Sequence, residues 1–226
     1  NLILISYIIS SILFIVGIKR LGKINTARQG NFLSAVGMLI AIMATLFKME
    51  AIPLSWIVAG VALGTLIGAI SAFKVAMTSM PEMVAIFNGF GGGASALVAS
   101  AEFFKYLHGK EAYLEELMKN NSDLTITMIT IVFSVIIGSL TFTGSLIAWG
   151  KLQGKISGQP ITYPGQNLFN GLILLGVVIT AYFFVINPEN SVAFSFILGI
   201  GLLLGILSVI PIGGADMPVV ISLLNS

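Results

Sequence analysis

From Leu124 to Trp149 the chain carries no Lys, Arg, Asp or Glu. That run exceeds the ~20 apolar residues that take an α-helix across ~30 Å of hydrocarbon. It is one of several. Apolar segments occupy residues 2–18, 32–47, 56–73, 83–101, 124–149, 168–186 and 191–210, and an eighth begins near 218 and is cut by the chain end. In lipid only helices and closed barrels satisfy their own backbone, and the period-2 alternation of barrel strands is absent. The sequence therefore predicts an all-α fold, a polytopic transmembrane bundle of eight helices with the last one truncated, forming one membrane domain over 1–226. Composition agrees. With 57% apolar residues, 9% charged residues and a mean hydropathy of +1.03, there is too little charge to cover a soluble domain.

A net charge of +2 gives no footing for a nucleic-acid partner. The absence of cysteine excludes disulfides, thiol catalysis and Cys-ligated metals. The first apolar stretch has no basic segment before it and is followed by KRLGK, so it reads as a helix and not a signal peptide. Every Lys, Arg, Asp and Glu is expected in a connection between segments. The odd-numbered connections hold Lys19, Arg20, Lys23, Arg28, Lys74, Lys151 and Lys155, and the even-numbered ones hold Lys48, Lys105, Lys110 and Lys119. The positive-inside rule then puts the odd connections in the cytoplasm and the N-terminus outside. The longest connection spaces Leu107, Leu114 and Leu117 as a short interfacial helix would. It also holds the single histidine, His108, which reads as a surface residue.

Shifting the sequence by 137 positions superposes Gly64 on Gly201, Gly68 on Gly205, Ser71 on Ser208, Met80-Pro81 on Met217-Pro218, and Asn88 on Asn225. Each copy opens a helix with Met-Pro and places an asparagine seven residues after the proline. Proline suits the first helical turn, where its missing N–H is not needed. Ser79 with Glu82 fits a capping box, and Asp216 can cap the second start. The copies lie four helices apart and run in the same direction, a parallel repeat of the kind some transporters use.

An asparagine in a membrane helix must find a partner, because a buried amide left unpaired costs several kcal/mol. Asn88 and Asn225 sit at matching depth, each about two turns into its helix. Helix–helix adhesion would explain one such residue. Two at one depth point to a shared polar site. Thr127, Thr130, Ser134, Gly138, Thr141 and Ser145 recur at spacings of three and four, one small hydroxylic face. It reads either as close packing with back-bonded hydroxyls or as the wall of a water-accessible path. Gly60, Gly64 and Gly68 form a double GxxxG, read as close packing. The run GFGGGA, residues 89–94, formally matches a dinucleotide fingerprint, but that motif needs a preceding strand. Its glycines instead leave room for a neighbouring helix or for water.

The stretches TARQGN (26–31), MTSMPEMVAIFNG (77–89), TFTGSLIAWGKLQGKIS (141–157) and GGADMPVVISLLNS (213–226) resemble the membrane domain of the β subunit of proton-translocating NAD(P)+ transhydrogenase. They span nearly the whole chain in family order. The resemblance implies an enzyme that couples hydride transfer from NADH to NADP+ with inward proton movement. It implies a bacterial plasma membrane setting in preference to the mitochondrial inner membrane. NAD(H) and NADP(H) would bind in separate soluble domains. Partners would be the lipid bilayer, the α subunit and an NADP(H)-binding domain expected beyond the chain end, in a homodimeric enzyme. This chain would bind no cofactor or metal and would not transfer hydride alone. The positions matching Asn88, Ser145 and Asn225 belong to the family's proton path. Gly213, Gly214 and Asp216 would couple that path to the nucleotide domain. Many members carry histidine where this chain has Asn88. Asparagine does not titrate near neutral pH, so Asn88 fits a gate on a water wire. The rival readings are a secondary transporter of a small solute built on the parallel repeat, and a structural membrane anchor.

Overall fold

The computed structural model describes residues 2–48 and 54–225. Ser226, the last residue of the GGADMPVVISLLNS stretch, lies outside the described residues. All eight predicted segments are helices, and the long connection adds one more. The described residues form α1 (Leu2–Leu21), α2 (Ala27–Lys48), α3 (Leu54–Lys74), α4 (Met80–His108), α5 (Lys110–Lys119), α6 (Leu124–Leu152), α7 (Gln166–Ile186), α8 (Ser191–Val209) and α9 (Met217–Asn225). Seven are long and apolar enough to cross a membrane. Leucine, isoleucine and phenylalanine side chains cover their outer faces, as lipid requires and water forbids.

The chain divides into two compact units, Asn1–Phe73 and Lys74–Ser226. In the first, α1 and α2 form a hairpin whose contact is built from small residues. The Ser10 hydroxyl, buried, donates to the Gly37 carbonyl at 2.7 Å, and a Cβ at Gly30 would stand 2.7 Å from the Gly17 carbonyl oxygen. Close approach of this kind replaces the hydrophobic driving force that lipid removes. Gly60, Gly64 and Gly68 of α3 have nothing within 4 Å of where a Cβ would stand. The close packing expected of that stripe is not made among the described residues.

The second unit is organised around α6, which packs against α4 on one side and α8 on the other. Asp123 caps its start, accepting from the Ile126 N–H at 3.0 Å. Near that end lies an aromatic core in which Phe103 stacks on Phe194 with ring centroids 4.1 Å apart. A smaller core at the other end gathers Ala85, Ala148, Val209, Met217 and Ile221. The interfacial helix predicted in the long connection is α5. It is held to α4 by the Lys105–Glu116 ion pair at 2.7 Å and to the α7–α8 turn by Lys110 and Glu189. His108 is exposed, as expected.

Tyr113 of α5 is buried beside Tyr106. Burial, and then the Glu102 carboxylate, push its phenol up to about 12. The unfolded chain releases that proton from about pH 10. Stability is therefore expected to fall as pH rises from there through the folded value. Thermal melts of the wild type and Tyr113→Phe across this window should diverge, with the variant losing less.

Two sequence expectations are corrected. Charged residues are not confined to connections. Helix α4 runs on through Glu102 and Lys105, and α6 runs on through Lys151. At 29 residues each, these helices reach about 43 Å and outrun a ~30 Å hydrocarbon layer. The capping box is not formed either. Ser79 makes no side-chain cap hydrogen bond, because a 3-10 turn over Met77–Ser79 precedes the helix. Glu82 instead accepts from Gln153 Nε2 at 3.1 Å.

The repeat acquires a backbone counterpart. Met77–Ser79 and Gly214–Asp216 are both 3-10 turns, displaced by the same 137 positions. Ala76 before the first has φ −67°, ψ 150°. Gly213 before the second has φ −67°, ψ 151°. Met80 and Met217 then enter their helices with φ −56° and −57°. The identities therefore mark one turn-to-helix motif used twice.

Candidate functional site

The glycines of α4 decide how near α6 can come. A Cβ at Gly92 would stand 2.7 Å from Thr141 Cβ and 2.8 Å from the Gly138 carbonyl oxygen. One at Gly138 would stand 2.6 Å from the Gly92 carbonyl oxygen, and one at Gly89 would stand 3.2 Å from Ser145 Cβ. Gly91 has open space around it. The GFGGGA run thus does both things the sequence suggested. Gly89, Gly92 and Gly93 admit α6, and Gly91 borders empty volume.

That close approach brings Asn88 and Ser145 together. Asn88 Nδ2 donates to Ser145 Oγ at 3.0 Å, and Ser145 is fully buried. Asn88 also lines a cavity of about 700 Å³ between α4, α6 and α9. Asn225 lines the same cavity from α9, with Thr141, Ser95 and Ser222. Thr141 Oγ1 donates to the Leu224 carbonyl at 3.4 Å. The two asparagines of the repeat therefore face one space, and Ser145 is hydrogen-bonded to its wall. Asn88 spends one amide hydrogen on Ser145. Its carbonyl oxygen has no protein partner among the described residues, which leaves an acceptor for water.

The Gly213–Asp216 segment lies apart from that cavity. Gly214 N–H donates to the Gly158 carbonyl at 2.8 Å, and Asp216 N–H to the Gly213 carbonyl at 3.1 Å. The Asp216 side chain is exposed and makes no hydrogen bond among the described residues. It does not cap α9 as the sequence suggested, since it closes the 3-10 turn.

Sequence reading missed what stands beneath this segment. Lys151, placed by charge counting in a loop, is buried in the last turn of α6. Its ammonium donates to the carbonyls of Ile210 at 2.6 Å, Ile212 at 2.7 Å and Gln159 at 3.4 Å. The first two are the carbonyls left over where α8 ends, a site that favours a cation. The signal was its place directly after Gly150, at the very end of an apolar run.

A bundle of long apolar helices with polar groups turned onto a common open cleft defines a multi-pass membrane protein. Comparison with known proteins carries this further. Residues 3–226 match the family described as NAD(P) transhydrogenase beta subunit, and the chain belongs to that family. It is 38% identical over its whole length to a protein named NAD(P) transhydrogenase subunit beta from Rhodospirillum rubrum, and equally to one of that name from a designated strain of the same species. The chain covers 47% of each, and so spans about half the length of these curated relatives.

Proposed function

We propose that this chain is the proton-translocating membrane domain of an NAD(P)+ transhydrogenase, with both units serving that one domain. The observation that carries the reading is the Asn88–Ser145 hydrogen bond of 3.0 Å on the wall of a cavity that Asn225 also lines. Amides and hydroxyls both donate and accept, so they can hold a chain of waters in line without titrating. A proton then moves by exchange along the waters, and Asn88 gates that chain by making or releasing its bond to Ser145.

Hydride transfer from NADH to NADP+ takes place in separate soluble domains, and this chain binds neither nucleotide. The Asp216 end of α9 faces the cytoplasm of a bacterium, under the NADP(H) domain. The segment Gly213, Gly214 and Asp216 is the contact through which that domain shifts α9. The complete enzyme pairs this subunit with an α subunit and is a homodimer. A proton crossing is worth about 2.3 kcal/mol per 100 mV, enough to bias the nucleotide ratio when coupling is tight.

The test uses the complete enzyme in liposomes, recording proton flux together with nucleotide turnover. Asn225→Leu is expected to keep the fold, since Asn225 is exposed to the cavity. It should cut proton-coupled transhydrogenation at least tenfold. Unchanged coupled activity would remove Asn225 from the path.

A further inference from the structure

The hydroxylic face of α6 does not end at the Asn88 cavity. Gly138 and Thr141 line that cavity, but Thr127, Thr130 and Ser134 line a second one. It also measures about 700 Å³ and lies between the same two helices, nearer the start of α6. Glu102 and Asp123 border it at its far end. One residue, Ser95, lines both cavities.

Three observations bear on what fills this second space. First, the face from Thr127 to Ser145 covers 19 residues of helix, about 27 Å of rise, against a hydrocarbon layer of ~30 Å. Second, half of the hydroxyls in these helices are turned back on their own backbone. Thr127 and Thr130 each donate to the carbonyl four residues earlier at 2.8 Å, and Ser100 and Ser139 do the same at 2.7 and 2.6 Å. Ser95 and Ser134 make no such bond, and their hydroxyls have no protein partner among the described residues. A hydroxyl facing hydrocarbon unpaired is costly, whereas one facing water is not. Third, α4 and α6 are pinned together at Gly92 and Gly138, one turn from Ser95. The cavities therefore widen on either side of a narrow place, and Ser95 stands at it.

We propose that the second cavity is a water-filled half-channel opening at the Glu102–Asp123 end of α4 and α6. Ser95 is the joint that passes water, and hydronium, between it and the Asn88 cavity. This inference rests on the proton-path reading of the first cavity and adds the opposite half of the route. Ser95 acts by holding water across the narrow place, with its hydroxyl both accepting and donating. Glu102 and Asp123 give the mouth its negative charge.

Two measurements test it in the full-length chain. This sequence has no cysteine, so single cysteines can be read cleanly once any elsewhere in the chain are removed. In sealed vesicles a membrane-impermeant thiosulfonate should label Thr130→Cys from one face and Ser222→Cys from the other. Both should react at least tenfold faster than Phe133→Cys, which is on α6, exposed, and outside both cavities. Labelling of Thr130→Cys no faster than Phe133→Cys would overturn the half-channel, because lipid would then fill it.

The second measurement is proton flux with nucleotide turnover. Ser95 is exposed to the cavity, so Ser95→Leu has room to fold and should plug the joint. Coupled flux is expected to fall at least tenfold, with Thr130→Cys and Ser222→Cys labelling retained in the plugged background. Ser95→Ala, smaller and without the hydroxyl, should fall less. If Ser95→Leu leaves flux untouched while Asn225→Leu abolishes it, the second cavity is off the path and only this inference fails. If neither substitution alters flux, the proton-path reading fails and this inference with it.

Discussion

Replacing Gly205 with alanine is expected to open the seam between α6 and α8 and leave the protein poorly folded. Buried residues on α8 include Phe194, Ile197, Gly201, Leu204, Gly205 and Val209, a stripe at helical spacing turned to α6. At Gly205 an added Cβ would fall onto Thr143 Oγ1 and the Leu140 carbonyl oxygen, and would stand 3.0 Å from the Gly144 nitrogen. A side-chain hydroxyl can rotate away, but two backbone atoms cannot. The helices must separate, and the Thr143 hydroxyl would lose its 2.7 Å bond to the Leu202 carbonyl across the seam. Overpacking a close-packed site costs about 1–3 kcal/mol. Contact with backbone puts this substitution at the upper end or beyond. Gly199→Ala supplies the comparison on the same helix, because nothing lies within 4 Å of its Cβ position. It should be neutral or should stabilise by up to about 1 kcal/mol through helix propensity. Thermal denaturation of the two variants in detergent measures the contrast. Equal melting temperatures would mean that the seam is looser than these contacts require.

The same glycines show what a sequence can and cannot disclose. Gly201 and Gly205 emerged from the repeat as the mates of Gly64 and Gly68. Among the described residues only Gly201 and Gly205 have a neighbour against them, with Gly201 lying on Ser139. Periodicity identifies a small stripe but not the helix that fills it, because that choice is made by tertiary packing. The existence of each membrane helix was legible, since hydrocarbon thickness alone fixes the length of an apolar run. Helix ends were not. Glu102, Lys105 and Lys151 continue their helices beyond the apolar runs, and a charge marks only where lipid gives way to a polar environment. At the site, the two asparagines matched by their spacing after each proline, Asn88 and Asn225, line one cavity. The repeated 3-10 turns that launch both helices explain why the spacing carried that information. The Asn88–Ser145 bond was foreshadowed by the family resemblance, which groups the two positions. Its cause is Gly89, whose missing side chain lets the Ser145 Cβ and the Phe142 carbonyl approach.

Lys151→Met is expected to have the other large effect, because one ammonium organises the whole segment that leads into α9. Lys151 is 4% exposed and has no carboxylate partner among the described residues. A buried charge of this kind persists only where donors and acceptors match it closely. The carbonyls of Ile210 and Ile212, at 2.6 and 2.7 Å, lie where α8 has ended and no further helical N–H can reach them. The Gln159 carbonyl, at 3.4 Å, draws in the loop that also accepts from Gly214 at 2.8 Å through Gly158. The lysine thus joins the end of α6, the end of α8 and the 3-10 turn before Met217. Methionine keeps the length and removes every donor, so the Ile212 carbonyl loses the ammonium and the Ile210 carbonyl keeps only the Ile161 N–H at 3.3 Å. Hydrogen bonds to a charged group are worth about 1.5–3 kcal/mol each and are not additive here, so a loss of about 2–4 kcal/mol is expected. A lower melting temperature of the full-length protein would register it. If the Gly213–Asp216 segment is the lever on α9, proton-coupled turnover should fall further than the lost stability explains. Assays well below the variant's melting temperature separate the two. Coupled turnover at the wild-type rate in folded protein would show that this turn can loosen without disturbing the path proposed at Asn225.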